Sequence, residues 1–409
     1  MTHCILIIGL VWPEPTSSAA GWRMLQLIKQ LQNISTNIHF ACAASKSDSS
    51  FNLSTLNVTE HSIELNDPSF DLFVSNLAPT IVMYDRFLTE EQFGWRVKMQ
   101  CPDCLTILDT EDLHFVRRAR AHAYKTNSVI DYNTTDCFRE LSSIYRCDVS
   151  IIISQTEYDL LVQQFNIPNS QLHYLPFVEN EISKQEFNDL PNFQDRENIM
   201  FIGNFIHEPN YMTVLKLKSI WPTIRKMLPK VEIHIYGAYP NHKVQQLHNE
   251  KDGFIIKGKA ADVNETMKNY KILLAPIPFG AGLKGKFIDG FKNKLPNITT
   301  AIGAEGMAED QWGGFICNDD NDIAIKAVEL YTNEIIWNNC VCNGFTIINK
   351  YYNNSSWKDS LNVLVNKLYK ELEQHRKSLI IQQLLWQNQL QATKYMSLWI
   401  NEKNKSKQI

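Results

Sequence analysis

Short runs of aliphatic residues alternate along the chain with longer amphipathic stretches. The runs are nearly unbroken Val, Ile and Leu, which is typical of strands covered on both faces of a parallel sheet. Apolar residues at helical spacing follow most of them, and this alternation predicts a doubly wound α/β domain. In the first half of the chain, strands are predicted at 4–11, 38–44, 80–84, 105–108, 149–154 and 172–176.

The alternation is interrupted once and then begins again. Residues 178–198 are polar and lack apolar periodicity, so we interpret them as a linker. We expect an N-terminal Rossmann-like domain at 1–180, a C-terminal Rossmann-like domain at 181–356, and helices at 357–409 that cross back to the N-terminal domain. Ligands of such sheets bind outside the carboxyl ends of the strands, so a cleft between the domains should hold the site.

Composition and charge narrow the class of protein. The 409 residues carry a net charge of −4, which gives no general attraction for nucleic acid or anionic membranes. The apolar run 4–11 is too short to span a membrane and lacks the flanks of a signal peptide. Nine scattered cysteines favour reduced thiols. We therefore expect a cytoplasmic protein, with contact at the membrane periphery left open.

A glycine- and lysine-rich segment follows the strand that ends at Pro276. Gly280 and Gly282 would let the backbone approach a ligand closely, and the start of the next helix would offer free N–H groups to an anion. Lys284 and Lys286 would add positive charge for a diphosphate, and Asp289 could accept the two hydroxyls of a ribose. The alternative for the glycines and lysines is a turn with solvated side chains.

The next predicted strand, 297–301, ends in a second glycine-rich turn with an acidic residue, Glu305. Because neighbouring parallel strands end at the same edge of a sheet, this turn should lie beside the first. The residues expected at this edge are Glu305, Gly306 and Met307.

Together these motifs resemble the donor-binding domain of group 1 (family-4-like) glycosyltransferases. The resemblance covers residues 199–307 and includes the strand-loop 201–210, the segment from Gly280 to Asp289, and the run 299–307. It implies a GT-B fold of two Rossmann-like domains, a nucleoside-diphosphate sugar as co-substrate, no other cofactor, and no essential metal.

The resemblance also implies roles for individual residues. Gly203 and Asn204 would approach the diphosphate, Lys284 and Lys286 would neutralise it, and Asp289 would hold the ribose. His207, in the same loop as Asn204, is a candidate for the acceptor side of the cleft. Glu305, Gly306 and Met307 would line the nucleotide pocket. The family's pair of glutamates is replaced by Ala281 and Asp289, and Asn204 stands where a basic residue is common.

In the first half, three strand-end loops supply candidates. The loop after strand 4–11 leads through small residues to Gly21 and Arg23, which would face the cleft or form an ordinary turn and a surface charge. Asp85 ends another strand and is a cleft candidate. Asp112 and His114 follow strand 105–108 and are the candidate general bases, unless the acidic residues there only cap the next helix.

The leading hypothesis is therefore metal-independent transfer of a sugar to an acceptor hydroxyl. Asp112 or His114 would be the base if the reaction inverts, and both would bind acceptor if it retains. The alternatives are a nucleotide-sugar epimerase and a catalytically degenerate binding protein. The acceptor is left open among glycan, lipid, protein and RNA, and the C-terminal helices are expected to pack on the protein, a second subunit or a membrane.

Overall fold

The N-terminal domain is built on a seven-stranded parallel sheet. The structure, a computed structural model, describes residues 3–309, 311–388 and 391–405. The strand order is β3-β2-β1-β4-β5-β6-β7, and every neighbouring pair is parallel. The strands are β1 (Cys4–Gly9), β2 (Asn37–Cys42), β3 (Thr59–Ser62), β4 (Ile81–Asp85), β5 (Leu105–Asp109), β6 (Val149–Ile152) and β7 (Leu172–Tyr174).

Helices cover both faces of this sheet. Ile5 and Ile7 belong to one buried cluster and Leu6 and Ile8 to another, so the apolar run of β1 fills two cores at once. The helices are α1 (Ala19–Gln32), α2 (Ser69–Leu77), α3 (Arg86–Gln100), α4 (His114–Thr126), α5 (Thr135–Arg146) and α6 (Gln155–Gln163).

The C-terminal domain repeats the plan with a six-stranded parallel sheet of order β10-β9-β8-β11-β12-β13. Its strands are β8 (Glu197–Ile202), β9 (Ile233–Tyr236), β10 (Phe254–Gly258), β11 (Tyr270–Ala275), β12 (Asn297–Thr299) and β13 (Gly314–Ile316). Its helices are α7 (Lys184–Asn188), α8 (Glu208–Met227), α9 (His242–Gln245), α10 (Val263–Met267), α11 (Gly285–Lys292), α12 (Ala301–Ala304), α13 (Asp320–Thr332) and α14 (Glu334–Tyr351).

The described residues after α14 return to the N-terminal domain and form five helices. Leu361, Val365 and Leu368 of α16 enter the core that also contains Ile5 and Ile7. These helices are α15 (Asn354–Trp357), α16 (Ser360–Lys370), α17 (Leu372–Ser378), α18 (Ile380–Asn388) and α19 (Gln391–Lys405). None of the helices in the described ranges has a stretch long and apolar enough to cross a membrane.

The predicted α/β alternation is correct, but several elements were not predicted from the pattern. Those missed include β3, α2, α9, α10, α12, β13 and α14, and the predicted linker 178–198 contains α7 and the first residues of β8. β3 is an edge strand whose residues alternate little in polarity, which explains the omission. Asp319 caps α13 by accepting from the N–H groups of Asn321 and Asp322, as helix-start acids commonly do.

Candidate functional site

Each sheet has one switch point, where consecutive crossovers leave in opposite directions. In the first sheet it lies between β1 and β4, and in the second between β8 and β11. Ligands of doubly wound sheets bind at this position. The two switch points face one another: a Cβ added to Gly285 at the start of α11 would lie 2.8 Å from the Cβ of Ala19 at the start of α1. Two helix N-termini thus meet across the cleft.

The loop after β11 makes the tightest approach between the domains. Gly282 has a φ of +61°, and its N–H donates to Oε1 of Glu157 in the N-terminal domain at 2.7 Å. A Cβ at Gly282 would lie 2.7 Å from the Cβ of Asp112, so glycine is required by both conformation and space. A Cβ at Gly280 would meet nothing closer than 3.7 Å.

The two lysines of this segment are enclosed between the domains. Lys284 donates from Nζ to the carbonyl of Gly282 at 2.8 Å, and burial lowers its pKa to about 8, against the attraction of Glu305 and Glu157. Lys286 donates to Oδ1 of Asn210 at 2.7 Å and lies 4.3 Å from the ring centre of Phe201. Burial and the neighbouring Lys284 lower the pKa of Lys286 to about 7. Two cations crowded together in this way favour an anionic ligand.

Asp289 lies one turn into α11, as the sequence predicted. Burial raises the pKa of its carboxyl group to about 6, partly offset by the charge of Lys292. Lys292 is itself paired with Glu179 at 2.6 Å. A half-buried carboxylate at a helix start can accept hydrogen bonds from a ligand's hydroxyl groups, and the predicted ribose contact of Asp289 stays a prediction.

The second glycine-rich turn contributes Glu305, which is bound from across the cleft. Arg120 of α4 donates to both of its carboxylate oxygens, at 2.6 and 2.9 Å, and to the carbonyl of Gly280 at 2.9 Å. Gly306 has a φ of +71°, and a Cβ there would lie 2.5 Å from Oγ of Ser154. Met307 is buried beneath the turn. The turn therefore contacts the N-terminal domain through Glu305 and through the close approach of Gly306 to Ser154.

The loop after β8 holds Gly203, Asn204 and His207. Asn204 donates from Nδ2 to the carbonyl of Ser17 at 3.2 Å, which links this loop to the one after β1. A Cβ at Gly203 would lie 2.6 Å from the side chain of Asn210, the partner of Lys286. His207 precedes α8 and is exposed. The structure thus brings this loop beside Lys286, while the predicted diphosphate contacts stay predictions.

Gly21 and Arg23 are structural parts of the N-terminal side. A Cβ at Gly21 would lie 2.5 Å from the backbone of Glu14, so this glycine lets the loop after β1 fold onto α1. Arg23 was expected either to reach a ligand or to lie on the surface, and it does neither. It is buried, bound to Asp109 at 3.1 Å and to the carbonyls of Leu175 and Pro176.

Asp85 belongs to a carboxylate cluster that the sequence did not reveal as a group. Asp85 and Asp109 are register partners at the ends of β4 and β5, and Glu111 joins them, all within 4.8 Å. Each has one buried oxygen without a hydrogen bond among the described residues. The pKa of Glu111 is raised to about 8, mainly because the group is buried and also because the charge of Asp109 repels its ionised form.

This cluster is the one group in the described part of the chain with the spacing of metal ligands. Arg23 and Arg86 lie against it, the latter 3.5 Å from Asp85. With Glu111 protonated, two carboxylates face two guanidinium groups and the charges balance. We therefore interpret it as a balanced ionic cluster beneath the cleft. Arg86 and Glu111 both have a positive φ, +70° and +60°, which fits a strained strand-end site.

Asp112 and His114 lie above this cluster. Asp112 is ion-paired with Arg117 and lies 3.5 Å from Nε2 of His114. Burial opposes its ionisation, but Arg117 and then His114 outweigh it and lower the pKa of Asp112 to about 2. Burial lowers the pKa of His114 to about 3 despite Asp112. At neutral pH the carboxylate is therefore charged and the imidazole is neutral.

Neither Asp109 nor Asp112 caps α4. The first N–H groups of this helix donate instead to carboxylates of other helices: those of His114 and Phe115 to Glu140, and that of Leu113 to Glu157. The pKa of Glu157 is raised to about 7, mainly because the group is buried and also because Asp112 repels its charge. Glu157 thus joins the start of α4 to Gly282 in the other domain. Sequence reasoning missed Glu157 because it is one acidic residue in an ordinary amphipathic helix.

Comparison with solved structures defines the class of fold. Sucrose-phosphate synthase of Thermosynechococcus elongatus aligns with a TM-score of 0.68 at 13% identity, over 90% of this chain and 99% of its own. HepE of Anabaena, solved with UDP and glucose, aligns with a TM-score of 0.67 at 11% identity, over 89% and 99%. Staphylococcus aureus TarM, solved with UDP, aligns with 0.57 at 15%, over 72% of this chain and 58% of its own. The chain has the two-domain GT-B fold, as predicted.

Sequence comparison then finds a family match within the second domain. Residues 196–333 match the family described as "Glycosyl transferases group 1". An uncharacterized 44.6 kDa protein of the cps region of Klebsiella pneumoniae is 25% identical over 166 residues. That match spans 38% of this chain and 42% of the relative. The sequence-based resemblance is therefore confirmed.

Proposed function

We propose that the protein transfers a sugar from a nucleoside-diphosphate sugar to an acceptor hydroxyl, without a metal ion. The observation that carries this proposal is the pair Lys284 and Lys286, enclosed at the switch point beside two helix N-termini. Burial lowers the pKa of both amines, which means that a bound anion would be needed to hold both charges. A departing diphosphate is such an anion, and its stabilisation there takes the place of a metal.

The N-terminal domain supplies the acceptor side of the proposed reaction. Asp112 is ionised and lies directly against Gly282 of the donor loop, so it faces the position where the two substrates would meet. If the sugar is transferred with inversion, Asp112 or the neutral His114 is the proposed base. If it is transferred with retention, both residues bind the acceptor. The nature of the acceptor stays open among glycan, lipid, protein and RNA.

Closure of the domains is part of the proposal. Arg120, Glu157 and Asn204 each bind across the cleft in this structure. Closed domains would exclude water and limit hydrolysis of the donor. The cytoplasm is the proposed compartment, since nine free thiols fit a reducing environment. Contact of the C-terminal helices with a membrane or a second subunit is also proposed.

The test is a thermal-shift screen of UDP, GDP, ADP and their sugars. We expect one nucleotide to raise the melting temperature of the wild type, because a ligand that binds only the folded state stabilises it. Lys284→Ala/Lys286→Ala should lose the shift. The matched control is Lys243→Ala/Lys251→Ala, which removes two exposed lysines of the same domain and should keep it.

The outcomes separate the proposal from its alternatives. A shift with a nucleotide sugar, followed by release of the nucleotide only when an acceptor is added, supports transfer. Conversion of the donor without an acceptor supports an epimerase. Binding without any turnover supports a degenerate binding protein. The absence of a shift with every nucleotide contradicts the proposed function.

A further inference from the structure

In the described parts of the last two helices, α18 and α19, the buried side chains are polar and several apolar side chains are exposed. Trp386 of α18 is half-buried and donates from its ring nitrogen to the carbonyl of Arg146. In α19, Ser397 and Asn401 are buried on the N-terminal domain, whereas Tyr395 and Trp399 are 59% and 58% exposed. In α18, the buried residue is Gln382. The exposed apolar side chains of the two helices are Ile380, Ile381, Leu384, Tyr395, Met396, Leu398 and Trp399. We call this set the apolar tail face.

Specific hydrogen bonds hold the helices in this orientation. Ser397 accepts from Arg96 of α3 at 3.4 Å and donates to Asn66 at 2.8 Å. Gln382 donates to the carbonyl of Arg146 at 3.1 Å and to Oδ1 of Asp148 at 3.1 Å. The inward faces are therefore fixed by polar contacts, and the apolar tail face cannot be buried by rotating the helices without breaking them.

The preceding helix α16 shows the usual arrangement. Leu361 and Val365 are fully buried in the core of the N-terminal domain, and Val363 is the exposed apolar residue of that helix. A globular protein normally buries the apolar stripe of a surface helix in this way. The reversal in α18 and α19 marks a surface that meets another apolar phase.

The net charge of the C-terminal residues indicates what this surface contacts. Residues 372–409 contain six Lys and Arg against two Glu, a net +4, whereas the other 371 residues contain 34 Lys and Arg against 42 Asp and Glu, a net −8. One of the six, Arg376, is paired with Asp148 of the N-terminal domain, and the other five are lysines. Basic and apolar residues thus lie together at one end of an otherwise acidic chain. Trp399 and Tyr395 have the amphipathic rings that settle at the level of lipid headgroups, and Lys403 lies 5.0 Å from the ring centre of Trp399.

We propose that the apolar tail face docks the protein on an anionic lipid bilayer surface. The helices would lie in the plane of the interface, with the apolar side chains among the acyl chains and the lysines at the headgroups. A symmetric dimer through the same face is disfavoured, because a two-fold axis would set one net-positive tail against another. The proposal is independent of the sugar-transfer activity, since it uses no residue of the cleft.

The experiment is co-sedimentation of the full-length protein with vesicles. The protein should bind vesicles that contain equal parts of phosphatidylglycerol and phosphatidylcholine. It should bind pure phosphatidylcholine more weakly, and about 1 M salt should weaken binding to the mixed vesicles because the Debye length falls to about 3 Å. Leu384→Glu/Trp399→Glu should reduce binding about tenfold or more, since two buried apolar side chains are lost. Ile335→Glu, at a residue 74% exposed on α14, is the matched control and should bind normally.

Two further measurements make the result decisive. Thermal melting should show that each variant folds, and the nucleotide-induced shift should be the same in all of them, which separates failure of this proposal from failure of the proposed activity. Wild-type protein that sediments with neither kind of vesicle overturns the proposal. So does a dimer, detected by light scattering and abolished by Leu384→Glu/Trp399→Glu, in a protein that does not bind vesicles.

Discussion

On the C-terminal side of the cleft, the candidate donor residues come from the segment 280–289, the turn at 305–307 and the loop after β8. On the N-terminal side, the groups that face them come from the ends of β4 and β5 and from α4 and α6. The candidate residues of the first side are mainly glycines and buried lysines, and those of the second side are mainly buried carboxylates. Most residues of the first side lie close together along the chain, whereas those of the second side are brought together only by folding.

The two sides also differ in how their charges are perturbed. Burial lowers the pKa of Lys284 and Lys286 to about 8 and about 7, and it raises the pKa of Glu111 and Glu157 to about 8 and about 7. The pKa values of the two lysines are thus lowered toward neutral pH, and those of the two glutamates are raised toward it. Such groups cluster at functional sites, where small changes in the surroundings decide their charge.

The largest effect should come from the point where the sides touch. Gly282→Ala would place a Cβ 2.7 Å from that of Asp112, at a residue whose φ of +61° already disfavours alanine. We expect the rate of sugar release from the donor to fall about 100-fold, because small displacements of reacting groups have effects of this size. The rate is measured with the donor that the thermal-shift screen identifies.

The control for this substitution is Gly280→Ala in the same loop. The nearest atom to an added Cβ there is 3.7 Å away, so the rate should stay near that of the wild type. If both variants lose activity equally, close packing against Asp112 is not the reason. If neither does, the domains do not approach each other at Gly282 during the reaction.

The next effect concerns the bidentate contact between Arg120 and Glu305. Arg120→Met should lower kcat/KM for the donor about tenfold, since a charged pair with two hydrogen bonds fixes the closed domains more firmly than an exposed pair does. Glu305→Gln should act similarly, and the double variant should fall little further. The exposed pair Lys125–Glu208, also across the cleft, should change kcat/KM less, because such pairs contribute about 1 kcal/mol or less. Additive losses in the double variant would show that the two residues act separately.

Much of the C-terminal side could be predicted from the sequence because its candidate residues lie close together along the chain. Gly282, Lys284 and Asp289 fall within one strand-loop-helix unit, so their neighbourhood could be predicted from spacing. The alternation of the two sheets was predictable for the same reason. Edge strand β3, with little alternation in polarity, was not.

The N-terminal side could not be derived in this way. Asp85 and Asp109 are 24 positions apart and become neighbours only through the parallel register of β4 and β5. Arg23 has the sequence context of a surface residue, and its burial depends on Asp109 and on the carbonyls after β7. Long-range pairing of charges leaves no local pattern, which is why Arg23 was misplaced and Glu157 was missed.

The enclosed cations should make donor binding depend on pH. Lys286 must be protonated to attract the diphosphate, and its pKa of about 7 in the free protein means that the charge is lost as pH rises past neutrality. Affinity for the nucleotide sugar should therefore fall between pH 7 and pH 8.5, by up to about tenfold per pH unit. Calorimetry at several pH values measures this. Lys286→Arg, which stays charged, should bind with a flatter profile, and an equally steep profile would assign the titration to another group.

The carboxylate side should respond to pH through stability, and in a smaller way. The pKa of Glu111 is raised from its usual value to about 8 in the folded protein, so the folded state holds this proton more tightly than the unfolded state does. Its contribution is complete below about pH 4.5 and is lost as pH rises to about 8. Glu111→Gln resembles the protonated form and does not titrate. The variant should therefore match the wild type near pH 5 and exceed it by on the order of 1 kcal/mol near pH 8.5.

Denaturant unfolding at the two pH values gives the free energy of unfolding of the variant and of the wild type. The difference between the two proteins is compared at each pH, so that the contributions of other titrating groups cancel. Asp136→Asn, at an acid of α5 that is partly exposed and paired with Arg118, is the control and should show little change with pH. A Glu111→Gln variant that is less stable than the wild type at pH 8.5 would mean that the ionised carboxylate is the form the fold requires. In that case Arg23 and Arg86 would stabilise three negative charges, and the contrast between the two sides of the cleft would lie in the sign of the charge alone.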